Sequence, residues 1–181
     1  LVEKSWSVEN DWATRSEGSA GRLEADAHVQ GFRPAGLGGD KEYLPTVRSD
    51  RIFWLGEQDT CWPLVKTKLG DLQAELNREL FLGLDHFEAH FAVYEPGQFY
   101  APHMDRSQLT PSKRAISFIL YLNSNWTAED EGELLIHEES EVTRVLPVGG
   151  RMVLFRSDTI LHSVQSPKRP RYSLTAWFRT T

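Results

Sequence analysis

Cysteine is nearly missing from this chain. With one, Cys61, among 181 residues, no internal disulfide and no cysteine-based zinc cluster can form, and a reducing compartment is expected. Long apolar runs are missing too. None approaches the roughly 18 residues of a membrane-spanning helix, and the opening LVEKSWSVENDW lacks the apolar stretch of a secretory signal. The chain starts at Leu1, so loss of a native start is expected. Positive charge is not in excess: 26 acidic residues against 20 basic ones give −6. That balance argues against a general binder of nucleic acid or anionic membranes. Repeats and low-complexity tracts are absent. What is there, 40% hydrophobic and 25% charged residues, is the composition of a soluble globular protein. The length suits one domain with a sizeable core. The expectation is a single cytoplasmic domain (or a nuclear one, in a eukaryote) whose chemistry rests on six histidines.

The hydrophobic period changes once along the chain. The N-terminal third reads as helical and loop-rich, with a helix over 19–30 and a Gly/Pro loop over 31–40. RIFWL, 51–55, reads as a strand. From 63 to 81, Val65, Leu69, Leu72, Leu76 and Leu80 recur every three or four residues, the stripe of a helix lying on a core. After residue 86 the period becomes two. FEAHFAVY, QFYAPHMD, AISFILYLN, ELLIHE, VTRVL, RMVLF, LHSVQ and YSLTAWF are separated by turn material. Short strands with helices only upstream predict a mainly β fold with supporting helices, a sandwich or jelly-roll barrel.

Three positions carry metal chemistry. His103 and Asp105 sit at i and i+2, on one face of an extended segment, with Met104 on the other. A solvated turn after Pro102 is the competing reading of that pair. His162 begins a strand about sixty residues later, a spacing that can bring a third ligand across a barrel. Two histidines and one carboxylate form the facial triad of non-haem iron(II) oxygenases, which leaves coordination positions open; a closed zinc site would want a fourth ligand. On the last strand Arg171, Ser173, Thr175 and Trp177 share one face, while Tyr172, Leu174, Ala176 and Phe178 share an apolar one. The apolar face should pack on the helical layer. The other suits a cavity wall, where a buried arginine needs an anionic partner such as the carboxylate of a small diacid.

HMD followed by LHSVQSPKRPRYSLTAWF resembles the iron(II)/2-oxoglutarate dioxygenases, and in particular their prolyl-hydroxylase-domain branch, the oxygen-sensing prolyl hydroxylases and their bacterial relatives. VRSDRIFWLGE, VYEPGQFYAPHMD, RAISFILYLNSNW, GELLIHEE and GGRMVLFRSD extend the likeness over roughly 31–179. The resemblance implies a double-stranded β-helix (jelly-roll, cupin-like) core over 86–181. Residues 1–85 would supply helical and loop support and a substrate-covering loop, all in one catalytic domain, 1–181. It implies Fe(II) on His103, Asp105 and His162, with no catalytic side chain beyond these ligands. It implies 2-oxoglutarate held by Arg171 and Tyr121, with Thr175 and Tyr94 beside it, and O2 as the second cosubstrate, with ascorbate in support. Succinate and CO2 would be released. The covering loop matches 38–50, with Arg48, Asp50 and Arg114 at substrate-binding positions, Asp50 pairing with Arg114, and Trp177 as an indole near the substrate.

The implied reaction is C4 hydroxylation of a prolyl residue in a protein, with a translation factor as the candidate substrate, since bacterial relatives act on the translation machinery. Asp105 favours hydroxylation, because related halogenases lack that carboxylate. AlkB-type nucleic-acid demethylases, the nearest rivals, repeat an arginine six residues after the first, where this chain has Trp177. A small-molecule hydroxylase and a metal-free, non-catalytic cupin-like binding module remain as further rivals. The expected partner is therefore a protein bearing the target proline, with no nucleic acid and no membrane. Oligomeric state is not legible. His28, His86, His90 and His137 are assigned to structure or surface.

Overall fold

The computed structural model of the protein describes residues 6–9, 23, 27, 31–36, 44–106 and 113–181. Of the helix expected over 19–30, Leu23 and Ala27 are described. Both are helical and buried against the main core, and the remainder lies outside the described residues, as do 38–43 of the expected covering loop.

The amphipathic stripe folds as α1, Trp62–Leu80, led by a proline in its first turn and closed by Phe81 in the left-handed conformation (φ 53°). Val65, Leu69 and Leu72 are buried, whereas Leu80, the last residue of the stripe, is exposed. All eight period-two segments form strands: β4 His86–Tyr94, β5 Tyr100–His103, β6 Arg114–Tyr121, β7 Leu134–His137, β8 Val142–Val145, β9 Met152–Arg156, β10 Leu161–Val164 and β11 Arg171–Arg179. Three further strands lie upstream: β1 Trp6–Glu9, β2 Arg33–Pro34 and β3 Arg51–Trp54. The expectation of helices and loops ahead of the barrel is therefore corrected beyond RIFWL. β1 pairs with β9, and β2 and β3 extend the other edge. Backbone groups at open sheet edges recruit such segments whatever their local periodicity.

The strands make two antiparallel sheets, a seven-stranded one ordered β1-β9-β6-β11-β4-β3-β2 and a four-stranded one ordered β5-β10-β7-β8. This is the double-stranded β-helix. Alternation along the central strands builds two cores. One face of the large sheet, with Phe91, Phe118, Leu120, Leu174, Ala176 and Phe178, packs on α1. The other, with Ala92, Tyr94, Ile119 and Tyr121, meets Leu134, Ile136 and Val164 of the small sheet. Each fully buried Leu, Ile or Phe contributes about 1.5–3 kcal/mol. The YLN of β6 has a structural task at this seam. The Asn123 side-chain amide donates to the carbonyls of Pro147 and Tyr172 and accepts from Tyr172 N at 2.6 Å, tying three chain segments together beside Arg171. No helix among the described residues is long and apolar enough to cross a membrane.

Candidate metal centre and cosubstrate cleft

Register places the site. His162 on β10 stands directly opposite His103 on β5, and Asp105 follows His103 just past the strand end, with Met104 turned outward and exposed. The candidate ligand atoms of His103, Asp105 and His162 lie within 4.8 Å of one another. Asp105 Oδ1 is 3.5 Å from His103 Nε2 and 3.8 Å from His162 Nε2. The other nitrogens face backbone carbonyls: His103 Nδ1 donates to Ala101 O at 2.8 Å and His162 Nδ1 to Ile160 O at 3.1 Å. A carbonyl can only accept, so both rings are set with Nδ1 protonated, leaving the Nε2 lone pairs aimed at the common point. Burial pulls His162 down to about 4, against the attraction of Asp105, and so keeps it neutral at physiological pH. Burial opposes ionisation of Asp105 as well. The neighbouring His162 and His103, together with the Ser117 hydroxyl, outweigh it and hold the carboxyl far below the usual carboxylate range.

Three strands of the large sheet form the facing wall. β11 pairs Arg171 with Tyr94, Ser173 with Ala92 and Thr175 with His90 on β4, and Ser173 with Tyr121, Thr175 with Ile119 and Trp177 with Ser117 on β6. Period two then turns 171, 173, 175 and 177 inward together. With Arg48, Asp50, Tyr100 and the triad, these residues line one cleft.

Arg171 is 1% exposed and closes one end of this cleft. Its Nε donates to Gly132 O at 2.8 Å, and its guanidinium carbon stands 5.1 Å from the Tyr94 ring and 5.0 Å from the Tyr121 ring. Its Nη2 and the Tyr121 hydroxyl are buried with no hydrogen-bond partner among the described residues. Burial raises the pKa of both Tyr94 and Tyr121, which keeps their phenols neutral and able to donate. Two donors orphaned beside an unneutralised cation form a receptor for a carboxylate.

Every residue expected at the site except two lies on the cleft surface. Tyr121 sits just behind Arg171, fully buried and outside the lining. Arg114 is at the rim, its guanidinium 3.4 Å above the Trp177 ring and bound to Glu88 at 2.8 Å. The expected Asp50–Arg114 pairing is corrected. Arg48 holds both Asp50 oxygens, at 2.6 and 2.9 Å, because Arg48 is two residues away on the same segment whereas Arg114 is anchored by Glu88, reached across β11. Burial works against the charge on Arg48, but Asp50 outweighs it.

Several groups at or just behind the cleft went unnoticed in the sequence. Tyr100 stacks on His103 at 3.4 Å between ring centroids and lies under Arg48 at 4.7 Å, with burial pushing its phenol up to about 12. Ser117 donates to Asp105 Oδ2 at 2.6 Å and bonds Ser157 at 2.8 Å. His90, assigned to structure or surface by sequence, is a buried part of the cleft wall. The signal was available: 90, 92 and 94 share parity on β4, as do 117, 119 and 121 on β6.

The donor set suits iron(II): two imidazoles and one carboxylate facing a common point on the cleft wall. Known proteins agree. The family model described as 2OG-Fe(II) oxygenase superfamily matches residues 89–179. Over 145 residues the chain is 36% identical to the prolyl hydroxylase EGLN3 of Mus musculus, covering 73% of this chain and 59% of that one. Over 142 residues it is 29% identical to Egl nine homolog 1 of Homo sapiens, covering 73% and 33%. The chain thus spans about a third to three fifths of the length of these curated relatives. Among solved structures, a Pseudomonas putida prolyl-4-hydroxylase superposes with a TM-score of 0.87 at 34% identity, covering 97% of this chain and 92% of that one. A Trichoplax adhaerens prolyl hydroxylase, solved with a hypoxia-inducible-factor peptide fragment, also reaches 0.87 over 98% and 84%, and its 21% identity speaks for the fold alone.

Proposed function

Since the chain belongs to the 2OG-Fe(II) oxygenase superfamily, we propose that it hydroxylates a prolyl residue of a polypeptide at C4, with Fe(II), 2-oxoglutarate and O2. One observation carries this reading. A single cleft holds a His-Asp-His donor set and, at its far end, a buried arginine with an unsatisfied Nη2 beside an unsatisfied tyrosine hydroxyl. Bound there, iron(II) with its cosubstrates supplies the oxidation of an unactivated C–H bond to C–OH, with succinate and CO2 released.

The remaining work falls to the protein. His103, Asp105 and His162 hold the metal, their orientations set by the Ala101 and Ile160 carbonyls and by Ser117. Arg171 and Tyr121 take the distal carboxylate of 2-oxoglutarate, with Tyr94 along its flank and Thr175 further along the same wall. The pleated wall keeps cosubstrate and metal in fixed register, so orientation is set before reaction. Trp177, with Arg114 over its ring, and Arg48–Asp50 form the side that receives the polypeptide. Similarity to prolyl hydroxylases in sequence and structure supports the prolyl substrate. We take a protein of the translation machinery as the candidate substrate and the cytoplasm as the location, in keeping with a lone cysteine and an acidic chain.

The test is direct. Purified protein with Fe(II) should consume 2-oxoglutarate. His103→Ala and Asp105→Ala should abolish this, and Arg171→Ala should chiefly raise the 2-oxoglutarate KM. Mass spectrometry of candidate proteins should find one oxygen added at proline. Full turnover in both ligand variants would overturn the metal assignment, and oxidation confined to nucleobases or free amino acids would overturn the substrate.

A further inference from the structure

Four of the unpartnered buried polar atoms belong to the cleft and its immediate wall, and they form two pairs. Arg171 Nη2 and Tyr121 Oη make the carboxylate end. His90 Nδ1 and Trp177 Nε1 make the second pair, for which neither the metal nor the diacid has a use. His90 is 1% exposed, with its ring 4.9 Å from that of Trp54 and 5.0 Å from that of Trp177. Two indoles fix the imidazole, yet no group among the described residues takes up its Nδ1. Leaving such an atom buried and unpaired is costly, so a bound molecule that satisfied it would recover that cost as affinity.

Register says which molecule. His90 pairs with Thr175, four residues along β11 from Arg171, or roughly 13 Å at the rise of an extended strand. A five-carbon diacid anchored at Arg171 does not span that distance. The atom therefore faces the other substrate. Burial, reinforced by the cations Arg48 and Arg114, keeps His90 neutral, so one ring nitrogen donates and the other accepts. A prolyl residue has no amide N–H and offers its surroundings only carbonyl oxygens. A donor at Nδ1 is the complement.

We propose that His90 is a positioning residue for the polypeptide, its Nδ1–H donating to the backbone carbonyl of the target proline or of the residue before it, with Trp54 and Trp177 clamping the ring. The inference rests on the prolyl reading, and its test separates the two.

The probes are blocked peptides, each with one proline and varied flanking residues. They are titrated into Mn(II)-loaded protein with saturating 2-oxoglutarate under argon, where binding is read without turnover. His90→Leu fills the ring's space without a donor. His90→Asn places an amide nitrogen near the Nδ1 position, whereas His90→Gln places it near Nε2. His90→Leu should weaken the tightest peptide about tenfold, the loss of one hydrogen bond. His90→Asn should come back to within threefold of the parent, His90→Gln should not, and the 2-oxoglutarate affinity of all three should stay within twofold. Equal weakening by Asn and Gln would reduce His90 to packing and overturn the proposal. So would unchanged peptide binding in the Leu variant, or a parallel loss of 2-oxoglutarate binding. If no prolyl peptide bound the parent while 2-oxoglutarate did, the prolyl reading itself would fall, and this inference with it. Should the Leu variant not fold, the contrast between Asn and Gln decides alone.

Discussion

Ser117→Ala removes one hydroxyl from a buried relay and leaves every proposed metal ligand in place. Ser117 Oγ is 2.6 Å from Asp105 Oδ2 and 2.8 Å from Ser157 Oγ. A serine hydroxyl has one proton. If Ser117 gives it to the carboxylate, Ser157 must be the donor in the second bond, so the relay runs from Ser157 through Ser117 to Asp105. A charge-assisted bond of this kind, shielded from water (both serines are 0% exposed), is worth about 1.5–3 kcal/mol. In its absence Oδ2 has no fixed partner, and the carboxylate can rotate Oδ1 off the point shared with His103 and His162. Outer partners of metal ligands typically contribute about 10–100-fold in affinity. The expected outcome is a weakening of that order in Fe(II) or Mn(II) affinity, with kcat falling at limiting metal and recovering at saturation. Ser157→Ala removes only the outer donor, so its effect should be several-fold and in the same direction. Metal titration by calorimetry under argon, with thermal midpoints to confirm folding, checks both. Metal affinity in Ser117→Ala within twofold of the parent would refute the reasoning, because the carboxylate would then be oriented by something other than the relay.

Three further outcomes are expected. Tyr121→Phe deletes a buried, unpartnered hydroxyl, so the ligand-free protein should become no less stable while the 2-oxoglutarate Kd rises about tenfold or more; thermal shift with and without 2-oxoglutarate reads both. Gly132→Ala should lower both stability and 2-oxoglutarate affinity, since φ is +77° and a Cβ would sit 2.8 Å from Pro167 Cβ and 3.3 Å from Arg171 Cδ; denaturation and a 2-oxoglutarate titration check it. His90 is held neutral well below its ordinary range by burial and by Arg48 and Arg114. The unfolded chain therefore takes up a proton near pH 6.5 that the native protein refuses, and stability falls as pH drops below that value, by up to about 1.4 kcal/mol per pH unit for this group. Denaturant titrations between pH 7.5 and 5 should show a shallower fall in His90→Leu.

Fold class and two faces of the candidate site, His103 with Asp105 and Arg171 through Trp177, were legible from the chain because both rest on period two, whereas Tyr94, Tyr121, Arg48, Asp50 and Arg114 entered through the family resemblance. Alternation in YSLTAWF assigned Arg171 and Trp177 to one face and Leu174 and Phe178 to the other, and the sheet keeps that division. The same rule, applied to HFAVY and SFILY, would have marked His90 and Ser117 as partners of Tyr94 and Tyr121 on the cleft face. Their residue types hid them, since a lone histidine or serine in a strand is ordinary. The Asp50–Arg114 pairing failed for a different reason. Opposite charges say that a pair can form, but the choice among Arg48, Arg114 and Glu88 depends on which groups the register brings within reach.

Alternation, turn chemistry and the spacing of His103, Asp105, His162 and Arg171 are local properties, written in the order of the residues, and they already pointed to a mainly β sandwich or barrel with a candidate metal triad and a candidate cation for a diacid. Tertiary structure decided what local order cannot encode. It set His162 opposite His103 across β5 and β10. It also stacked Tyr100 on His103, placed Ser117 against Asp105, and left Arg171 Nη2, Tyr121 Oη and His90 Nδ1 buried without partners. Those are facts about distance between residues far apart in the chain, and only the pairing of strands creates them.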